Sequence, residues 1–231
     1  MRERQSLQMK SAVRRTTLAV DVVVLSPRGD ALAALLVRAP SGARERWTLP
    51  WDAPRPDEGL EDAAARIAES VLGSAPAFFE QVGAFSDGKR HPGDADVSVG
   101  IVALVPARDD VPAADTEWFP LAALPALAPR HRTIVERAAA VARQRVDQSP
   151  LAFRLLPSTF TLSDLQGVYE LLLGRRLHKA SFRRALQASY LVEPTDEWHS
   201  EGRGRPAQLF RFAPRKRRGA RRGVRFDLFT E

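Results

Sequence analysis

The stretch FTLSDLQGVYELLLGRRLHKASFRRALQASYLVEP, residues 160–194, decides the fold of the C-terminal third of the chain. Its apolar residues recur at helical spacing in two segments, which a glycine-containing turn separates. The pattern predicts a first helix that Ser163 and Asp164 cap and that ends at Leu173. It predicts a second, basic helix over Lys179–Ser189.

Two short strands are predicted after these helices, over 190–192 and 208–212, and the loop between them contains the basic sequence GRGRP at 202–206. A helix, a turn, a basic helix and a hairpin with a basic tip follow each other in winged helix-turn-helix domains. Basic side chains on one helix face supply donors for phosphate oxygens or guanine edges in a major groove, and glycines let a hairpin tip approach the DNA closely. A structural winged helix with a solvated basic face is the alternative. The predicted DNA-binding residues are Lys179, Ser181, Arg183, Arg184, Arg203 and Arg205.

The charge distribution favours a polyanionic partner for this part of the chain. Residues 1–150 contain 19 Lys and Arg against 20 Asp and Glu, a net charge of −1. Residues 151–231 contain 16 against 8, a net charge of +8. The excess of positive charge therefore lies in the last third, as expected for a nucleic-acid-binding module. The segment 214–226 adds seven Lys and Arg without an acidic residue, which predicts a low-complexity basic tail.

The composition excludes several other classes of protein. The 231 residues are 44% hydrophobic and 27% charged, which is typical of a globular chain with one large or two small domains. The absence of cysteine excludes disulfides, thiolate metal sites and a cysteine nucleophile. No apolar run reaches the roughly 20 residues that span a bilayer, and the N-terminal residues lack the apolar core of a secretory signal. We therefore expect a cytoplasmic protein without a membrane partner.

Residues 16–150 alternate between strand and helix patterns, which predicts an α/β domain that ends near residue 148. A hairpin is expected over 18–40, with its turn at Ser26–Asp30. The other predicted elements are a helix over 60–72 that Gly73 ends, strands over 78–85 and 97–106, and a long helix over 130–146.

Three residues of this domain, Glu58, Arg66 and Gly73, have the spacing of the pattern G-x5-E-x7-R-E-U-x-E-E-x-G-U, in which U is a bulky apolar residue. The preceding WTLP at 47–50 matches the W-x-L-P that often leads into that pattern. The segment thus resembles the Nudix box, whose helix presents carboxylates to a divalent metal that polarises a pyrophosphate and activates water. A plain amphipathic helix with chance matches is the alternative interpretation.

The segment departs from the Nudix box at the positions that carry its chemistry. Asp52 replaces the opening glycine, and Glu69 occupies only the variable position, about 100° around the helix from its neighbour. We therefore predict no cofactor, no metal site and no pyrophosphate hydrolysis. The positions of the three metal-binding glutamates are occupied by Ile67, Ser70 and Val71.

Over residues 16–212 the chain resembles the Nudix-related transcriptional regulators, the NrtR-type repressors of NAD metabolism. The resemblance implies an α/β (α+β) chain, in which a Nudix-like mixed-sheet α/β/α sandwich over 16–150 precedes a winged helix-turn-helix domain over 151–213. Residues 1–15 would form an N-terminal arm and residues 214–231 the basic tail. The resemblance also implies a homodimer on a palindromic double-stranded DNA operator, with a nucleotide effector such as ADP-ribose in the Nudix-like pocket.

A negatively charged nucleotide needs cationic and stacking partners in that pocket. Phe85 is the one phenylalanine of the first domain that we assign to the pocket, whereas Phe78 and Phe79 are expected in the core. Two other hypotheses remain: a Nudix-type pyrophosphatase that its basic domain tethers to nucleic acid, and a DNA-binding protein whose first domain is only a dimerisation platform. The predicted effector-binding residues are Arg38, Arg46, Trp47, Phe85 and Arg90.

The remaining polar candidates favour structural roles. Asp57-Glu58 and Glu61-Asp62 stand at the start of a predicted helix, where acidic residues stabilise the helix dipole. His131 is expected to pack against or cap the start of the long helix. The four histidines have no metal-ligand spacing, and we predict no metal site from them: His91, His131, His178 and His199.

Overall fold

The computed structural model describes residues 15–76, 78–107, 113–146, 148–200 and 206–213. Within these residues the chain forms a seven-stranded mixed sheet between two helices, followed by a winged helix-turn-helix unit. The fold class expected from the sequence is confirmed. The predicted N-terminal arm, except for residue 15, lies outside the described residues, as do the wing-tip residues Arg203 and Arg205 and the basic tail. The described helices include none that is both long and apolar enough to cross a membrane.

The long strand β1 is the centre of the first sheet. It pairs in parallel with β6 and in antiparallel with β2, and β5 pairs in antiparallel with the other edge of β6. β7 pairs with the edge of β2 that faces away from β1. The strands are β1 (Leu18–Arg28), β2 (Ala31–Arg38), β3 (Trp47–Thr48), β4 (Trp51–Asp52), β5 (Phe78–Phe85), β6 (Val97–Leu104) and β7 (Thr116–Pro120).

The turn of the first hairpin is shorter than the sequence predicts. Strand β1 continues through Ser26 and Pro27, and Pro27 pairs with Leu32 of β2. Only Gly29 and Asp30 form the turn, with Gly29 in the left-handed region at φ +58°. The prediction of a turn that begins at Ser26 is therefore wrong. β6 pairs with β1 only as far as residue 25, so Pro27 has a strand neighbour on one side only, where proline is tolerated.

A short segment, residues 47–52, fills the gap that opens where β1 and β2 diverge. β3 at its start pairs with the end of β2, and β4 at its end pairs with Val20 and Asp21 of β1. Strand pairing thereby places Trp47 and Trp51 between the two central strands of the sheet.

Two helices cover the sheet. Helix α1 (Leu60–Leu72) packs on one face through an apolar stripe with helical period, and Gly73 ends it in the left-handed conformation at φ +68°. Helix α2 (Pro129–Val146) covers the opposite face. Both predicted helices are confirmed. The buried stripe of α1 consists of Ala63, Ala64, Ile67, Ala68 and Val71.

The second unit contains a three-stranded sheet in the order β8-β10-β9 and two helices. The N-cap of α3 is Thr161, whose Oγ1 accepts a hydrogen bond from the amide of Asp164 at 3.1 Å, while the Asp164 carboxylate accepts one from the amide of Thr161 at 2.9 Å. The predicted capping role of Asp164 is confirmed, but that of Ser163 is wrong, because the reciprocal capping box starts the helix at Thr161. The elements are β8 (Thr159–Phe160), α3 (Leu162–Leu173), α4 (Lys179–Ser189), β9 (Val192–His199) and β10 (Ala207–Phe212).

The predicted strand at 190–192 begins too early. Tyr190 ends helix α4 in the left-handed conformation, at φ +54°, and β9 starts only at Val192. The strand predicted at 208–212 is present as β10.

The two units share one hydrophobic core. Ile134 and Ala138 of α2 belong to the same buried cluster as Leu165 and Tyr169 of α3. A buried 3-10 turn over Leu151–Leu155 connects the units and adds to this cluster. Apolar contact, rather than the connecting chain alone, therefore joins the first sheet to the helix-turn-helix.

Candidate nucleic-acid interface and ligand cleft

Helix α4 has one buried and one basic exposed face. Phe182 and Leu186 are each 1% exposed and pack into the shared core. Lys179, Arg183 and Arg184 are exposed, and none of the three has an ion-pair partner among the residues that the structure describes. Buried positions four residues apart leave the intervening positions on the solvent side of a helix. The structure thus brings three predicted DNA-binding cations onto one free surface.

Ser181 lies in the first turn of the same helix and is half-buried. Its Oγ is 3.3 Å from Nδ1 of His178, the N-cap residue of α4. The first backbone N–H groups of a helix lack partners within the helix, so an anion near Ser181 would meet donors there. Arg203 and Arg205, in the loop between β9 and β10, lie outside the described residues.

The Glu170 carboxylate holds the turn between α3 and α4 in place. It accepts hydrogen bonds from the amide of Leu177 at 2.9 Å, from Nε2 of Gln166 at 2.9 Å and from Arg176 at 2.9 Å. Burial raises the pKa of Glu170, but these donors outweigh burial and lower the pKa below its usual value. The ionised carboxylate therefore fixes the position of α4 relative to α3.

The effector pocket that the sequence predicts in the first unit contains a cation–π cluster. The guanidinium carbons of Arg38 and Arg46 lie 5.2 and 5.8 Å from the centre of the Trp47 ring. Trp47 is only 7% exposed, and its ring meets that of Phe119 edge-on at 5.0 Å. Trp47 is thus part of the core as well as the support for two guanidinium groups.

The other two predicted effector-binding residues lie apart from Trp47. Arg90 forms an ion pair with Glu45, the residue that precedes Arg46, and so reaches the same edge of the sheet. Phe85 is at the end of β5, the outermost strand on the opposite side of the sheet order, and its ring covers Gly100. The structure brings the four other residues together and places Phe85 across the sheet from them.

The Nudix-box residues Glu58 and Arg66 bind each other. Nε and Nη2 of Arg66 donate to the two carboxylate oxygens of Glu58 at 2.8 and 2.9 Å, and Nη1 donates to Asp52 at 2.6 Å. The amide of Arg55 adds a third donor to Glu58 at 2.8 Å. The hydrogen bonds from Arg66 are the main cause that lowers the pKa of Glu58 to about 2. Glu58 therefore acts here as the partner of Arg66.

The positions of the box that lie further along α1 are divided between the core and the exposed surface. Ile67 and Val71 are 4% and 8% exposed and pack against the sheet. Ser70 is exposed, and its hydroxyl donates to the carbonyl of Ile67 at 2.7 Å. Glu69 is exposed to solvent.

One polar cluster escaped the sequence analysis. Asp21 of β1 is fully buried, and its Oδ1 accepts hydrogen bonds from Nε2 of His131 at 2.8 Å and Nε2 of His91 at 3.0 Å. His131 and His91 are themselves buried on α2 and in the loop between β5 and β6. The signal was Asp21 itself, because a carboxylate in the apolar run LAVDVVVL must find buried partners.

The hydrogen bonds define the chemistry of this cluster. The amides of Leu49 and Gly93 donate to Nδ1 of His131 and His91 at 3.2 and 3.0 Å. Each ring therefore carries its proton on Nε2, which donates to Asp21. Both nitrogens of each ring are thus used in hydrogen bonds that connect loops, and neither is an open metal ligand. Burial is the main cause that lowers the pKa of His131 below its usual value, so the ring is neutral. The cluster ties segment 47–52 and the β5–β6 loop to β1.

Two family models match the chain. The NUDIX domain model matches residues 15–138, and the NrtR DNA-binding winged helix domain model matches residues 152–212. The ADPR-responsive transcriptional repressor NtrR of Acinetobacter baylyi is 32% identical over 213 residues, covering 88% of this chain and 85% of that protein.

Two solved structures are similar to this chain over most of its length. NrtR of Shewanella oneidensis, crystallised with a 27mer DNA, is 29% identical, with a TM-score of 0.73 over 85% of this chain and 94% of that one. A MutT/nudix family protein from Enterococcus faecalis is 21% identical, with a TM-score of 0.69 over 87% and 89% of the two chains. The second likeness concerns the fold alone.

Proposed function

We propose, since this chain belongs to the NrtR family of Nudix-related transcriptional regulators, that it is a repressor that binds an operator through α4 and releases it on binding ADP-ribose. The A. baylyi relative is named as an ADPR-responsive repressor, and S. oneidensis NrtR was crystallised with DNA. These two properties, of proteins about 30% identical to this one over most of its length, support the proposal.

The observation that carries the proposal is the basic face of α4. Lys179, Arg183 and Arg184 lie exposed on a helix that the shared core anchors through Phe182 and Leu186. Placed in a major groove, their side chains would donate to phosphate oxygens and guanine edges. A homodimer would present two such helices to the two halves of a palindromic operator. Ser181, Arg203 and Arg205 would add contacts at the helix start and the wing.

The effector would bind where Arg38 and Arg46 lie over Trp47. The phosphates of ADP-ribose need several cationic donors, and Arg90 supplies a further one beside Glu45. Binding would release DNA if the effector-bound dimer holds its two α4 helices at a spacing that does not fit the operator. Phe85 lies across the sheet at the end of β5, so it would contact the effector only if the ligand reached there from Trp47.

We further propose that the Nudix-like domain is catalytically inactive. A divalent metal at the box needs carboxylate oxygens, whereas Ile67 and Val71 are core residues and the Ser70 hydroxyl donates to a backbone carbonyl. Glu58, the remaining acidic residue of the pattern, forms an ion pair with Arg66. The alternative, a pyrophosphatase tethered to nucleic acid, would need metal ligands from elsewhere.

The operator experiment tests the main proposal. Purified protein selects its operator from a random DNA library, and fluorescence anisotropy then measures the Kd of that duplex with and without ADP-ribose. We expect ADP-ribose to raise the Kd at least tenfold. Arg46→Ala should reduce this response, whereas Arg44→Ala, a change of an exposed arginine on the same loop, should not. Full operator binding that no concentration of ADP-ribose alters would support the dimerisation-platform hypothesis instead.

A hydrolysis assay tests the inactive domain separately. We expect no AMP release from ADP-ribose or NADH above a buffer control in the presence of Mg²⁺ or Mn²⁺. Metal-dependent release of AMP that Glu58→Gln abolishes would establish the pyrophosphatase and contradict this part of the proposal.

A further inference from the structure

We propose that the cleft between the two units is a second ligand site, for a small metabolite that carries an anionic group on an apolar body. The cleft has a volume of about 500 Å³, within the range of small-molecule sites, and it lies where two structural units meet. The tip of the β1–β2 hairpin and helix α2 form one side of it. Helix α3 and the turn that leads to α4 form the other side.

Gly167 lines the cleft and leaves it without a side chain at this position. It lies inside helix α3 with ordinary helical backbone angles, so its conformation does not require glycine. A Cβ added at this position would meet no described atom within 4 Å, so close packing does not require glycine either. Glycine inside a helix is less favourable than alanine. We infer that the glycine leaves room for a ligand against the backbone of α3.

The cations around the cleft favour an anionic ligand. Nε of Arg143 in α2 donates to the carbonyl of Leu173 at 3.1 Å, and its terminal amino groups have no hydrogen-bond partner among the residues that the structure describes. Arg143 lines the cleft. Arg175 is exposed and has no ion-pair partner in the described part of the chain. Two acidic residues, Asp30 and Glu170, also line the cleft, and the Glu170 carboxylate accepts hydrogen bonds from Gln166, Arg176 and the Leu177 amide. Arg143, Arg175 and Arg176 outnumber these two carboxylates, so the net charge of the lining is positive.

The remaining wall is apolar. Three alanines and four leucines line it, and beside Gly167 they form a surface for the apolar part of a ligand. Arg143 and Arg175, from the two sides of the cleft, would bind its phosphate or carboxylate. The apolar lining residues are Ala31, Leu32, Leu121, Ala122, Ala139, Leu171 and Leu172.

The location gives this site a regulatory consequence, which rests on the proposed repressor function. Arg143 belongs to the first unit, whereas Arg175 belongs to the helix-turn-helix. A ligand that binds both arginines restricts the orientation of α4 relative to the first sheet. Operator affinity then depends on this ligand as well as on the effector in the first unit.

Three glycine amides make the site directly measurable in the full-length protein. Gly29, Gly167 and Gly174 line the cleft, whereas Gly42 and Gly88 lie in loops of the first unit away from it. We would titrate AMP, adenosine and inorganic phosphate separately, and follow the ¹H–¹⁵N signals of these residues. We expect saturable AMP shifts at the three cleft glycines, with adenosine and phosphate at least tenfold weaker. AMP shifts that are absent there, or confined to Gly42 and Gly88, would overturn the proposal.

Variants of the cleft complete the test. Gly167→Leu fills the space and raises helix propensity, so the protein should stay folded while the AMP shifts at Gly29 and Gly174 disappear. Arg175→Ala should weaken AMP binding at least fivefold, and Arg44→Ala should leave it unchanged. Unaltered AMP affinity in Gly167→Leu would contradict the site.

The operator assay separates this site from the proposed function. Saturating AMP should change the operator Kd at least threefold in the wild-type protein and not in Gly167→Leu, and an unchanged Kd in the wild type would contradict the regulatory role. Release by ADP-ribose should survive in Gly167→Leu. If ADP-ribose failed to release the operator while the cleft glycines still responded to AMP, the proposed effector would be wrong and the second site would stand.

Discussion

Helices α1 and α4 use arginine in opposite ways. In α1, Arg66 donates to Glu58 and Asp52, so its charge is compensated within the protein. In α4, Arg183 and Arg184 are exposed and have no ion-pair partner among the described residues. Both helices bury an apolar stripe of the same period. The two helices differ on the face opposite to this stripe: the arginine of α1 is bound within the protein, whereas the arginines of α4 can bind a partner.

Under the proposed function, this difference would leave α1 as a structural helix while α4 recognises the DNA. Of the three positions of α1 that carry metal-binding glutamates in the Nudix box, two are the core residues Ile67 and Val71. Arg66 would have to give up its bonds to Glu58 and Asp52 in order to bind a ligand. Changes in α1 should therefore affect stability, and changes in α4 should affect DNA binding.

The largest expected effect comes from returning carboxylates to α1. Ile67→Glu places an unpaired charge in the core, so we expect a loss of about 3 kcal/mol or more in the free energy of unfolding. Ser70→Glu is the matched control on the same helix, since Ser70 is exposed and should change stability by less than about 0.5 kcal/mol. Urea unfolding followed by circular dichroism measures both. Equal stability of the two variants would show that position 67 faces solvent.

The second effect concerns the basic face of α4. Arg183→Ala and Arg184→Ala should each weaken operator binding by about 1–3 kcal/mol if the side chain contacts a base edge. Their free energy of unfolding should change little, because both side chains are exposed. Anisotropy titrations at fixed salt give the Kd values.

A charge-matched control sharpens this second prediction. The double variant Arg44→Ala/Arg55→Ala removes two exposed arginines from the first unit and so lowers the net charge by the same amount as the double variant Arg183→Ala/Arg184→Ala in α4. It should bind the operator nearly as well as the wild type. If it weakened binding as much as the double change in α4, total charge rather than the face of α4 would govern affinity.

The smallest expected effect is the loss of the Arg66 network. Arg66→Ala should lower the urea midpoint at pH 7, because Glu58 and Asp52 lose their shared partner. The pKa of Glu58 is lowered to about 2, so its contribution is present above the ordinary glutamate pKa and is lost as the pH falls through about 2.

The stability difference between wild type and Arg66→Ala should therefore be constant from pH 7 to about 5 and shrink towards pH 2. Arg55→Ala is the control in the same loop, because the backbone amide of Arg55, rather than its side chain, binds Glu58. A difference that stayed constant down to pH 2 would show that Arg66 stabilises α1 by packing and not through the Glu58 carboxylate.

Much of the fold could be predicted because helices and strands depend on local spacing. The apolar period gave α1, α2 and α4, and glycine gave the ends of α1 and α3. The errors are at element ends, where one hydrogen bond decides. The Thr161 capping box moved the start of α3, and Pro27 stayed within β1 because β6 no longer pairs there.

The candidate site was less predictable from the same residues. The grouping of Arg38, Arg46 and Trp47 follows from one short loop, whereas Phe85 depends on the order of strands in the sheet. The roles of these residues in ligand binding, and those of the α4 cations in DNA binding, remain predictions.

The sequence by itself determined the two units, the apolar stripe of α1 and the concentration of positive charge in the last third. These are properties of neighbouring residues and need no knowledge of distant contacts. Tertiary structure alone decided that Asp21 meets His91 and His131, which are 70 and 110 residues away along the chain. It also decided that the two units share a core and enclose a cleft. The physical reason is that a buried charge requires a partner but does not specify which distant residue supplies it.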